Sequence, residues 1–251
     1  MYKKLNTAII FSTVALLING CSWNDKMSKN EFTYRESILT KANNYSGLIT
    51  LYRNKLKIKE DDDIRLKLAN AYYMSGDSKS SLYYLKPIAH KQSDSIYLLQ
   101  AKSLINENNN TDAHIVINKL LATSPNNAEA HNMDGIILAN NGEMAKAENA
   151  IERSRNLFIS DDTAMNNLAV IAILDNRYTD AVRILLPNYL TGKRNSLMLH
   201  NLVFSLIKLD DKQYAKKIII AEKMTKDADE LILALSQVNN PYQDQFPGGL
   251  K

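Results

Sequence analysis

The sequence predicts an all-α solenoid built from about five stacked helix–turn–helix repeats, and three observations carry that prediction. First, Ala113, Ala147, Ala181 and Ala215 recur at a constant interval of 34 residues. Second, three further columns keep the same interval. An aliphatic follows each alanine by four (Ile117, Ile151, Leu185, Ile219), and a small or compact residue precedes it by twelve (Ala101, Gly135, Ala169, Val203). Nine before stand Leu104, Leu138, Ala172 and Leu206. Third, Gly and Pro number only 8 and 5 in 251 residues, which suits helices joined by short polar turns and argues against a turn-rich β fold.

The 34-residue period is that of the tetratricopeptide repeat (TPR), in which one helix packs on the next and neither buries its apolar face alone. Small residues are needed where the paired backbones approach, and larger aliphatics fill the space one turn on. An earlier copy fits at a 32-residue step through Ala69, Tyr72, Ser81 and Leu85. Upstream, Tyr34, Ile38, Leu39 and Ala42, then Leu48, Leu51, Tyr52 and Leu56, form two helical stripes broken at Asn43–Asn44. They read as a degenerate first repeat.

The turns differ. Gly76 and Gly142 suit the tight turn between paired helices, and Asp175–Asn176 does the same work one repeat later. The interval from Leu202 to Tyr214 exceeds that from Leu168 to Tyr178 by two residues, which predicts a longer last turn at Asp210–Asp211–Lys212. Pro87 and Pro187 are expected to kink or end their helices. The acidic run Glu60–Asp61–Asp62–Asp63 reads as the capped start of a helix and not as a metal site, since no second ligand cluster accompanies it.

The N-terminus points to a compartment. Lys3 and Lys4 precede an apolar stretch from Ala8 to Ile18, too short to span a bilayer. Ile18–Asn19–Gly20–Cys21 follows, and resembles a bacterial lipobox ending on the sole cysteine. The expected organisation is a lipoprotein signal peptide over 1–20, acylated Cys21 and a tether over 21–32, the solenoid over 33–235, and a flexible tail over 236–251. Acylation at Cys21 attaches the chain to a membrane. In lipoproteins of this kind Ser22 permits transfer to the outer membrane, facing the periplasm. Without Lys3 and Lys4 the chain carries 29 basic against 27 acidic residues, so no patch for nucleic acid is expected.

No catalytic constellation is visible. His90, His114, His131 and His200 stand at no metal-ligand spacing, and no phosphate loop or nucleophile–base pair appears. The sequence therefore predicts no enzyme, cofactor, metal or small-molecule substrate. Binding has candidates. The register places Asn132, Asn166 and His200 in one row of the first helices, with Asn167 and Asn201 beside it and Ile136, Val170 and Phe204 in an adjacent apolar row. The amides could bond a partner's backbone across the concave groove, or could bond neighbouring helices within the scaffold.

The run Asn132–Met133–Asp134–Gly135–Ile136–Ile137–Leu138 with Asn141–Gly142 is followed by Asn166–Asn167–Leu168–Ala169, then Asp175 to Val182, then Asn201–Leu202. Together with the lipobox, this pattern resembles the TadD family of TPR lipoproteins from tight-adherence (Flp pilus) loci. The resemblance implies a pilus-assembly scaffold, similar to pilotins, whose partners are the outer-membrane secretin or other Tad assembly proteins. A general TPR adaptor lipoprotein resembling NlpI or PilF, serving a protease or another secretion system, is the alternative.

Overall fold

The computed structural model describes residues 28–238, and every regular element among them is helical. The lipobox, Cys21, and the tail beyond Val238 lie outside the described residues. The chain divides into two compact units, one ending at Asn43 and one beginning at Asn44. Helix α1 (Lys29–Lys41) belongs to the first. The second holds α2 (Tyr45–Ile58) and five helical hairpins. These are α3 (Asp62–Met74) with α4 (Ser78–Leu85), α5 (Asp94–Asn106) with α6 (Asn110–Thr123), and α7 (Ala128–Asn140) with α8 (Met144–Asn156). Then come α9 (Asp161–Leu174) with α10 (Tyr178–Leu190), and α11 (Ser196–Lys208) with α12 (Lys212–Ala221). A final unpaired helix, α13 (Ala228–Gln237), packs on α11 and α12.

The four columns read from the sequence form the core. Ala113, Ala147, Ala181 and Ala215 are completely buried, as are Ile117, Ile151, Leu185 and Ile219. The close approach is tightest at Gly135. A β-carbon there would stand 2.5 Å from Cδ1 of Ile151 and 3.1 Å from the carbonyl oxygen of Ala147. Any larger side chain there would have to displace Ile151. In the earliest copy Ser81 replaces the alanine, and its hydroxyl is matched by Ser103 Oγ at 3.0 Å, so the buried polar groups satisfy each other.

One turn design recurs at every hairpin. The residue between the helices adopts a left-handed conformation: Gly76, Asn108, Gly142, Asn176 and Asp210 have φ of 87°, 57°, 81°, 60° and 64°. The next residue then donates its N–H to a carbonyl five positions back, as Asp77 does to Tyr72 at 2.9 Å and Asp211 to Leu206 at 2.9 Å. This closes the first helix. In most hairpins that same residue caps the second helix: Asp77, Asn109 and Asp211 each accept a backbone N–H through the side chain. Such a cap contributes about 1 kcal/mol.

This uniformity corrects one expectation. The last hairpin turn is no longer than its predecessor, because Asn176 and Asp210 lie 34 residues apart and three residues separate the helices in both. Lys212, not Tyr214, is the counterpart of Tyr178. The two prolines also part company. Pro87 ends α4 in a short 3-10 turn, Lys86–Ile88, whereas α10 continues through Pro187 to Leu190. The acidic run behaves as a cap, with Asp61 accepting from the N–H of Asp63 at 3.0 Å and of Ile64 at 3.1 Å. Asp62 pairs with Lys91 and Glu60 with Arg65.

The connections between repeats hold a second set of left-handed residues: Phe158, Gly192 and Lys223, with φ of 69°, 94° and 52°. Glycine suits such a site and a bulky aromatic does not; the conformation costs about 1–2 kcal/mol. Phe158 nonetheless occupies it and is 95% exposed.

Candidate functional site

Each first helix packs against the first helix of the next repeat, from α3 through α5, α7, α9 and α11 to α13. Second helices pack on their own partner and on the following first helix. Adjacent repeats therefore meet chiefly where a second helix packs on the following first helix, and also along the row of first helices, where the sequence placed its candidate residues.

The structure decides the role of the asparagines. Asn167 on α9 donates its Nδ2 proton to Oδ1 of Asn132 on α7 at 2.7 Å. Asn201 on α11 repeats the bond to Asn166 on α9 at 3.0 Å. The two bonds form a ladder across three helices, each joining residues 35 apart: one repeat plus one position. Asn132 is only 4% exposed, so its expected role as a partner-facing side chain is corrected. It is an internal tie, because a buried amide needs a partner and the next first helix supplies one. Asn166, Asn167 and Asn201 are half-buried, with one function of each amide committed to the ladder.

His200 holds the register position of Asn132 and Asn166 but stands outside the ladder. The helix that packs next on α11, α13, carries no asparagine to continue it. The exposed ring turns back on its own helix, with Nδ1 2.7 Å from the carbonyl oxygen of Ser196.

Ile136, Val170 and Phe204 stand at one register on α7, α9 and α11, each half-buried. Phe204 is braced edge-to-face by Tyr178, with ring centroids 6.1 Å apart, and Lys208 places its Nζ 5.4 Å from the Phe204 centroid. That ammonium also donates to the carbonyls of Ser236 and Val238, tying α11 to the end of α13. The face thus offers an apolar row on helices already locked together by the amide ladder.

Sequence reasoning missed two features. Between α8, α9 and α10 lies a cleft of about 450 Å³, with Met165, Leu168 and Ile184 among its walls. Arg177 at its rim reaches Glu148 on α8, Asp175 at 2.7 Å and Asp180 at 3.1 Å. Partial burial disfavours the guanidinium charge, and the three carboxylates more than offset it, holding the pKa above its usual value. The second feature joins α6 to α7: His114 Nε2 stands 3.3 Å from Oδ1 of Asp134, within reach of charge attraction but without hydrogen-bond geometry. Burial raises the Asp134 carboxyl above its ordinary value, against the opposing charges of His114 and His131. Both features join residues 20 or more positions apart, a proximity only the repeat stacking creates. Among the described residues, no group of His, Cys, Asp and Glu is placed to hold a metal.

No protein-family model and no curated protein matches the sequence. Solved structures do match. A tetratricopeptide repeat protein from Parabacteroides merdae is 12% identical over 85% of each chain, with a TM-score of 0.71. A thermophilic TPR protein of Thermus thermophilus is 17% identical over 72% of this chain and 100% of its own, with a TM-score of 0.60. The Cut9–Hcn1 hetero-tetramer of the APC/C is similar over 89% of this chain and 46% of that chain, at 13% identity and a TM-score of 0.63. Identities this low establish the fold alone: the chain has the TPR-like α-solenoid fold.

Proposed function

We propose that this chain is a lipid-anchored, periplasm-facing scaffold of the outer membrane that serves tight-adherence pilus assembly by docking the secretin in the manner of a pilotin. The observation that carries the docking part is the row Ile136, Val170 and Phe204, half-buried on three first helices that the amide ladder holds in register. A pre-set apolar row spares a partner segment the cost of ordering the site. The membrane part rests on the lipobox-like run ending at Cys21, and the pilus assignment on the asparagine-rich pattern from Asn132 to Leu202.

The test is membrane fractionation of the secretin in a strain lacking this chain, complemented with wild type, Cys21→Ala or Val170→Glu/Phe204→Ala. Wild type restores secretin multimers at the outer membrane. Cys21→Ala moves the chain itself to the soluble fraction, and the groove variant stays anchored but restores no multimers. Normal multimers in the deletion strain would remove the pilotin role, and a membrane-bound Cys21→Ala chain would remove the anchor.

A further inference from the structure

We propose that the edge of the stack carrying Phe158, Leu190 and Leu197 docks on a lipid bilayer surface. All three lie at the connections that follow second helices, two of them in succession: Phe158 between α8 and α9, Leu190 and Leu197 flanking the connection from α10 to α11. They are 95%, 68% and 66% exposed. Phe158 is the anomaly that directs attention here. Its backbone is left-handed where the next repeat has Gly192, and its ring lies almost wholly in water. Packing does not explain an aromatic at this position, and backbone preference opposes it.

The charged side chains of the two connections are paired. Arg155 Nε donates to Asp161 at 2.9 Å across the first connection. Lys193, in the second connection, reaches back to Asp162 at the start of α9. Arg194 pairs with Glu222 at 2.8 Å and lays its guanidinium 4.4 Å from the centroid of Tyr189, next to Leu190. Glu152 also pairs with Arg155, at 3.8 Å, so these groups leave an excess of one negative charge, and little net field opposes approach to a headgroup layer at physiological salt. The apolar groups project singly from that surface. A protein hot spot is seated instead in a well-packed surround that excludes water, and a 95% exposed ring has none. Isolated aromatic and leucine side chains over a polar base fit the interfacial zone of a bilayer.

The proposal rests on the anchored reading in one respect. Seven peptide units separate Cys21 from Ser28, the first described residue, and they span at most about 25 Å. An acylated Cys21 therefore keeps the chain as a whole near the bilayer, where weak insertion by an exposed edge is enough to hold it.

The experiment uses the full chain in a Trp23→Phe background, so that one tryptophan reports. Phe158→Trp places it on the proposed edge; Met74→Trp places it beside a hairpin turn, at the opposite end of the repeats. Each is reconstituted into phosphatidylethanolamine–phosphatidylglycerol vesicles with and without brominated acyl chains. The expected result is vesicle co-flotation of both proteins, with quenching at position 158 at least about twofold stronger than at position 74 and a blue-shifted emission at 158 alone. Equal quenching with co-flotation intact overturns the docking and leaves the anchor standing. Loss of co-flotation overturns the anchor, and the docking with it. A position 158 shielded from lipid but buried in a protein contact assigns the edge to a protein partner and also overturns the proposal.

Discussion

Asn167 donates to Asn132 across 2.7 Å, tying α9 to α7, and Asn201 repeats the tie to Asn166 one helix further on at 3.0 Å. Two consequences can be measured. Asn167→Ala leaves the Asn132 carbonyl oxygen buried without its donor, and is expected to lower stability by about 1–2 kcal/mol, or several degrees in Tm. A double-mutant cycle with Asn132→Ala should recover a coupling of about 1 kcal/mol. His200→Ala should leave Tm unchanged, since its ring bonds only within its own helix. Equal effects at His200 and Asn167 would mean that the ladder does not hold the repeats together.

Gly135→Ala tests the close approach of α7 and α8. The added methyl meets Ile151 Cδ1 at 2.5 Å and the Ala147 carbonyl at 3.1 Å, so the Ile151 side chain must move and the helices must part by a few tenths of an ångström. A loss of about 1–3 kcal/mol is expected in chemical denaturation. Adding Ile151→Val, which removes the nearest atom, should return part of the loss. Full stability in Gly135→Ala would show that the hairpin opens without cost.

The left-handed connections give a paired test. A β-carbon on Gly192 would touch nothing within 4 Å, so any cost of Gly192→Ala is conformational. About 1 kcal/mol of destabilisation is expected there. At the equivalent Phe158, substitution by Gly relieves the strained backbone and removes a side chain that packs on nothing. Its Tm should hold or rise. A marked fall in Phe158→Gly would mean that the ring supports the fold.

Asp134 sets a pH dependence. Burial raises its folded-state pKa above the ordinary 3.8, so the folded chain holds this proton more tightly than the unfolded one. Its contribution to stability is complete below 3.8 and is lost as pH rises through the raised folded value. Asp134→Asn stays neutral throughout. The Tm of Asp134→Asn minus that of wild type should therefore grow more positive as pH climbs from about 3 to about 7. Parallel curves would show that the carboxyl does not titrate differently in the two states.

The repeat architecture was legible in the chain because it is a local, periodic requirement. A small residue must recur wherever two helices of a hairpin touch, and a turn former wherever the first helix stops; the columns through Ala147 and Ile151 record the one, Gly142 and Asn176 the other. Counting between aromatic landmarks failed at the last turn, since Tyr214 is not the counterpart of Tyr178. The left-handed residue Asp210 marks the register there. The row of asparagines was equally visible, yet sequence left two uses open for it, a partner's backbone or a neighbouring helix. Tertiary structure chose. Stacking offsets each first helix by one position against the last, which brings Asn167 to Asn132 and Asn201 to Asn166 while His200 meets no amide. The same stacking joins His114 to Asp134 and Arg177 to Glu148. Periodicity determines which residues share a register; which of them touch depends on the rotation and offset between repeats, and no single repeat contains that information.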